Sequence, residues 1–281
     1  MMKEYTTFRI GGPCRLMLFP ETEEQVMAVL ALLRKNHEEF FVLGRGSNLL
    51  VSDRGYDGIV VALRKNFSGI SVNGTEITAL SGSGMIEIAR VAMENGLTGF
   101  EFASGIPGTV GGGVMMNAGA YGGELKDVLK SARVLLPDGS VKEMTPMELE
   151  MGYRTSALPE LDATVLSVII RLTPGDRETI KNTMDDLSQR RREKQPIEYG
   201  SAGSTFKRPV GFYAGPLIEN AGLKGYRVGD ACVSEKHAGF VVNLGNATAA
   251  DVLSVVHHVQ KVVLATSGVE LECEDKFLGE F

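Results

Sequence analysis

The 281-residue chain has no tryptophan, three cysteines and four histidines. Cys14, Cys232 and Cys273 are odd in number and far apart, which excludes a disulfide framework and fits a reducing compartment. Neither they nor the scattered histidines have the spacing of a metal site. No apolar run approaches the roughly 20 residues of a membrane span. The opening stretch Met1 to Gly12 lacks the apolar segment of a secretory signal. Basic residues are also in deficit: 29 Lys and Arg against 35 Asp and Glu give a formal net charge of −6. Nucleic-acid and anionic-membrane binders need a basic face, so neither class is expected. These absences predict a cytoplasmic protein.

Glycine is the residue in excess, 34 of 281, about 12 % against a typical ~7 %. Eight of the glycines fall between Gly105 and Gly123. Crowding of that kind points to a loop where backbone must approach a ligand.

Periodicity predicts an α+β chain. Thr22 and Gln25 form a capping-box pattern ahead of Val26, Val29, Leu30 and Leu33, predicting a helix over 22–35. Phe40 to Leu43 and Ile59 to Leu63 read as buried strands. Ile70–Val72 and Ile77–Leu80 flank the turn signal Asn73-Gly74. A helix from Met85 stops at Asn95-Gly96. A hairpin joins Ala132–Leu136 to Val141–Met144, and Val165 to Leu172 is a further strand. Beyond Pro174-Gly175 come a charged helix to Lys194, a strand near Phe206, a short helix near Leu217 and a strand at Phe240–Asn243. A valine-striped helix starts at a Thr248 cap, and a last strand lies around Val269–Leu271. The expected division is 1–174, itself split near 66, then 175–268, then a returning strand in 269–281.

Gly44-Arg45-Gly46-Ser47-Asn48 follows a strand but is no Rossmann fingerprint, because Leu49 stands where the third glycine belongs. It is no Walker A loop either, and by itself it reads as a structural turn. The second stretch, Gly105 to Gly123, changes that reading. Two glycine loops, both expected to end strands, can offer successive N–H groups to a pyrophosphate. Ser47, Asn48, Thr109 and Asn117 would add side-chain hydrogen bonds.

Thr7 to Pro13, Leu43 to Leu50, Gly105 to Gly112 with Met116 to Gly122, Tyr153-Arg154, Gly203 to Pro209 and Leu271 with Glu274 resemble, in order, the UDP-N-acetylenolpyruvoylglucosamine reductase family. The shorter class of that family, which lacks a substrate-covering loop, is the better match. Cys14 and Gly113 depart from the more usual alanine. The resemblance implies a vanillyl-alcohol-oxidase-type (PCMH-type) FAD-binding region, with a smaller α+β substrate-binding domain after it. FAD would be held non-covalently by Gly44, Arg45, Gly46, Ser47, Asn48, Ile106, Pro107, Gly108, Thr109, Gly112 and Asn117. NADPH would be the reductant, and the enolpyruvyl group of a UDP-N-acetylglucosamine the acceptor, in peptidoglycan precursor synthesis by a monomer.

The same resemblance implies the catalytic set. Ser204 would donate a proton, position counting for more than bulk acidity. Arg154 would pair with the substrate carboxylate through its planar guanidinium. Glu274 would orient Arg154 or the enol system, and is preferred to Glu272 by its spacing to Gly279. Lys207, Arg208 and His237 would face the diphosphate, with Arg192 and Lys194 as lesser candidates. Alone, each of these residues has a blander reading: a turn serine, a surface arginine, a solvated glutamate. Two alternatives stay open, an FAD-dependent oxidase of the same fold and a non-catalytic flavin-binding module. Covalent flavin attachment would use His or Cys, and neither loop contains one.

Overall fold

The computed structural model describes residues 1–281, which group into two compact units. One takes Met1–Arg15, Gly46–Asp57 and Arg191–Phe281; the other takes Leu16–Arg45 and Gly58–Arg190. This division differs from the linear one at 174. Thr173–Pro174 pairs with Leu97–Thr98, and Ile180 and Met184 of the following helix are held by the larger unit, so the contact boundary falls inside helix Arg177–Lys194. No break occurs near 66 either, because Phe67 shares a core with Leu30, Val61, Leu135 and Leu166.

The larger unit is built on a five-stranded antiparallel sheet. Its strand order is Val141–Met144, Leu129–Leu135, Thr164–Arg171, Glu76–Leu80, Ile70–Asn73. The central strand Thr164–Arg171 is buried over most of its length, as a strand covered on both faces should be. Helix Met85–Glu94 buries Met85, Ile88, Ala89 and Ala92 in the core that holds Ile77, Val168 and Ile170. It stops at Asn95, and Gly96 takes φ +64°, a left-handed turn that glycine adopts without Cβ strain. The edge hairpin turns one residue later than Asn73-Gly74 suggests. Asn73 pairs with Glu76, which leaves Gly74-Thr75 as the loop with only Gly74 at positive φ.

A three-stranded sheet in the order Cys14–Leu18, Tyr56–Ala62, Phe40–Leu43 carries helix Glu23–Lys35. Thr22 Oγ1 accepts from the Gln25 N–H at 3.3 Å. The reciprocal half of the box slips upstream, because Gln25 Oε1 accepts from the Glu21 N–H at 2.8 Å.

In the smaller unit an antiparallel sheet runs Arg227–Val228, Ala231–Val233, Val241–Asn243. Helix Ala249–Ser267 shares its core through Val252, Val255, Val256, Val259 and Val263, all 3 % exposed or less. Each such side chain contributes about 1.5–3 kcal/mol by leaving water. Val262, beside them, is only partly buried. The helix start is fixed twice over. Thr248 and Asp251 form a capping box, and Asp53 accepts from Ala249 N–H at 2.8 Å and Ala250 N–H at 3.1 Å. The last strand is Lys276–Leu278, parallel to Leu49–Val51, rather than Val269–Leu271. Leu271 is buried in the core without being in a strand, so its apolarity reports packing.

Candidate active site

In the larger unit the start of the first glycine loop, Gly44, meets the second at Thr109. A Cβ on Gly44 would overlap Thr109 Oγ1, so the first loop can lie against the second only as glycine. The second loop does not end a strand. It leaves the 3₁₀ turn Glu101–Gly105, and at Val110 it enters a six-residue helix, Val110–Met115, capped by Thr109. Several of its glycines serve packing. A Cβ on Gly111 would come within 2.7 Å of Ser81 Cβ, and one on Gly113 within 3.1 Å of Met85 Sδ. Ile106, Pro107, Gly108 and Gly112 are partly or fully exposed, along the free side of the segment.

The donor set here suits a dinucleotide. Ser81 Oγ and Ser104 Oγ are buried hydroxyls without a hydrogen-bond partner; the Ser81 backbone and Cβ lie against Gly111, and Ser104 stands two residues before Ile106. Polar groups left this way inside a protein are costly unless a ligand meets them. Asn117 is not available in the way expected. It is fully buried, its Nδ2 donates to Glu124 Oε2 at 3.1 Å and to Gly152 O at 2.9 Å, and its Oδ1 accepts from Lys126 N–H at 3.0 Å. With both donors and its acceptor engaged, it organises the loop. Arg45, the second residue of the first loop, is exposed.

Arg154 belongs to this unit. It sits at φ +55°, its Nη2 donates to Gly119 O at 3.1 Å, and its guanidinium lies 5.4 Å from the centre of the Tyr153 ring.

The smaller unit holds the other half of the expected set. Gly46 takes φ +64° against the Tyr5 carbonyl, where a side chain has no room. Its own carbonyl accepts from Thr7 N–H at 3.1 Å, and Ser47 follows it, half-buried. Asn48 Nδ2 donates to Glu274 O at 3.2 Å, and Glu274 N–H donates to Thr205 O at 2.8 Å. Glu274 is therefore tied to the residue that follows Ser204. Ser204 Oγ donates to Phe206 O at 3.2 Å and lies close to Gly239, which is also packed against the His237 ring. Ser204, His237 and Glu274 thus share one neighbourhood.

The basic residues are less free than expected. Lys207 Nζ pairs with Glu272, so the carboxylate set aside in the sequence is the counter-ion of Lys207. His237 is not a cation: burial pushes its pKa down, and its Nδ1 accepts from Gly239 N–H at 3.1 Å. That leaves Nε2–H as the donor. Arg208 stacks on the Tyr213 ring at 3.9 Å, a cation–π contact that keeps the guanidinium at the surface. Arg192 and Lys194 are both exposed, at the end of a helix.

Sequence reasoning missed Asp275. It is 5 % exposed, its Oδ1 has no hydrogen-bond partner, and burial with the neighbouring Glu274 charge pushes its pKa well up. In the string Glu-Cys-Glu-Asp-Lys it looks like one more solvated acid, and no periodicity marks it. Burial likewise pushes the Cys273 thiol up to about 12.

Residues 195–278 match the family model for the UDP-N-acetylenolpyruvoylglucosamine reductase C-terminal domain, and residues 14–145 match an FAD binding domain. A UDP-N-acetylenolpyruvoylglucosamine reductase of Caldanaerobacter subterraneus subsp. tengcongensis is 50 % identical over 99 % of this chain and 92 % of its own. One from Clostridium perfringens is 49 % identical over 99 % and 91 %. The crystal structure of UDP-N-acetylenolpyruvylglucosamine reductase from Thermus caldophilus superposes with a TM-score of 0.87 at 38 % identity, covering 99 % of this chain and 97 % of that one. Likeness of that depth over nearly every residue, on an FAD-binding fold of the vanillyl-alcohol-oxidase type, makes this chain a member of the UDP-N-acetylenolpyruvoylglucosamine reductase family.

Proposed function

We infer that the chain is an FAD-dependent oxidoreductase that uses NADPH to reduce the enolpyruvyl group of UDP-N-acetylglucosamine enolpyruvate, giving UDP-N-acetylmuramate for peptidoglycan. The observation that carries this reading is the whole-length kinship with reductases of that name. The oxidase and non-catalytic alternatives have no comparable support. FAD, when bound, supplies the hydride relay from NADPH to the enolpyruvyl methylene carbon.

The chain's own residues have three tasks. Arg154 pairs its guanidinium with the substrate carboxylate and stabilises the negative charge that builds there. Ser204 Oγ gives its proton to the carbon next to that carboxylate, the hydroxyl now directed at Phe206 O turning to the substrate. Glu274 orients the reacting group from a backbone pinned at both Thr205 and Asn48. The match of these three residues to the family motifs supports the roles. Gly44, Arg45, Gly46, Ser47, Asn48, Ile106, Pro107, Gly108, Thr109 and Gly112 hold the cofactor, with Asn117 organising them. Lys207, Arg208 and the Nε2–H of His237 meet the diphosphate.

The net charge of −6 supports a working partner that is a small molecule and not nucleic acid. No helix is long and apolar enough to cross a membrane. The enzyme acts in the cytoplasm and as a single chain; sedimentation of the purified protein tests the second.

An anaerobic titration followed by flavin absorbance tests the activity. NADPH should bleach the band, and UDP-N-acetylglucosamine enolpyruvate should restore it. Bleaching without recovery would keep the flavoprotein and discard the substrate.

A further inference from the structure

The turn that carries Arg154 is held to the glycine-rich segment at three points. Asn117 Nδ2 donates to Gly152 O at 2.9 Å, Ser156 Oγ donates to Met115 O at 2.9 Å, and Arg154 Nη2 donates to Gly119 O at 3.1 Å. A bridge between Gly152 and Thr155 closes the turn on itself. Arg154 at φ +55° and Asn117 at φ +40° are both in the left-handed region that L side chains rarely adopt. Backbone of this kind persists only where its surroundings hold it.

We propose that Asn117 is a positioning residue for Arg154: with Ser156 and the Gly119 carbonyl it fastens the arginine turn to the flavin loop, so that the carboxylate clamp keeps a fixed place relative to the bound cofactor. The chemistry of the amide explains the residue type. From one buried position it donates to the turn at Gly152 O and to Glu124 Oε2, and accepts from Lys126 N–H. Aspartate would lose both donors and face Glu124 with like charge; serine would supply one donor at most. Glu124 adds an electrostatic link. The bond from Lys126 Nζ, then that from Asn117, then the charges of Lys126 and Arg154 hold its carboxyl below the usual range. A clamp fixed in advance loses less freedom when substrate arrives, and so holds the carboxylate more tightly.

The proposal rests on the reading of Arg154 as the carboxylate-binding residue, and the experiment separates the two. Calorimetry on the FAD-loaded protein would measure binding of UDP-N-acetylmuramate, which carries the carboxylate, and of UDP-N-acetylglucosamine, which lacks it. Asn117→Ser should weaken the first ligand by about 10-fold or more while leaving the second within about twofold. Arg154→Ala should do the same, and Asn117→Ser added to it should cost nothing further. Equal loss for both ligands in Asn117→Ser would make the residue merely structural and overturn the proposal. Unchanged discrimination in Arg154→Ala would remove the reading beneath it instead. Should Asn117→Ser fail to fold, Ser156→Ala cuts a second fastening and is expected to lower affinity for UDP-N-acetylmuramate alone. Unaltered preference there would count against the fastening.

Discussion

Glu274 and Thr205 are joined by a backbone hydrogen bond of 2.8 Å, from the Glu274 N–H to the Thr205 carbonyl. The Thr205 N–H in turn donates to the Gly239 carbonyl at 2.9 Å. Three stretches distant in sequence therefore meet at one rung, with the proposed proton donor Ser204 beside it.

Removing that hydroxyl separates the two halves of the proposed reaction. Ser204→Ala should still be bleached by NADPH at the parent's rate. Recovery of flavin absorbance on adding the enolpyruvyl substrate should slow by about 10²–10⁴-fold. Stopped-flow absorbance reads both phases. Recovery at the parent's rate would remove Ser204 from the role.

Gly44 lies against Thr109 with no space for a Cβ. Gly44→Ala should therefore part the two loops and yield protein with little flavin after purification. The ratio of flavin to protein absorbance measures it. A variant with full flavin content would show that the loops yield without harm to the cofactor site.

Asp275 sets a pH dependence of stability. The unfolded carboxyl ionises near ~3.9, whereas burial raises the native pKa well above that. Between those two pKa values the native state binds more protons than the unfolded one, so stability falls as pH rises through that window. Asp275→Asn removes the proton uptake. Its melting temperature should exceed the parent's at pH 7–8, and the two curves should draw together toward pH 4. A gap independent of pH would locate the effect in packing instead.

Cys273 is only partly buried, yet its thiol is pushed up to about 12, chiefly by burial. At pH 8 it should carry on the order of a thousandfold less thiolate than a free cysteine of pKa ~8.5. Labelling with a maleimide followed by peptide mass analysis should find Cys273 modified far more slowly than free cysteine in the same solution. Rapid labelling at that position would contradict the environment described.

Local pattern made most of the fold legible. The Thr248 cap and the valines of Ala249–Ser267, the amphipathic face of Met85–Glu94 and the stop at Asn95-Gly96 are set by spacing along one helix. The hairpin around Pro137 to Ser140 follows from turn chemistry. Legibility failed where partners are remote. Leu271 looked like a strand residue and is core, while the pairing of Lys276–Leu278 depends on a segment more than 200 positions away. The division into units failed for the same reason, because each unit is assembled from separated stretches.

The candidate site divides along the same line. The sequence by itself determined which residues are present to do chemistry: the glycine loops, Arg154, Ser204, Glu274, and the family to which their order belongs. Only tertiary structure decided how each is engaged. Lys207 is claimed by Glu272, His237 is kept neutral by burial, Asn117 is spent on Gly152 and Glu124, and Asp275 is shut away from water. The physical reason is that a motif records side-chain chemistry in order along the chain. Charge state and hydrogen-bond availability depend on desolvation and on neighbours that the chain brings in from elsewhere.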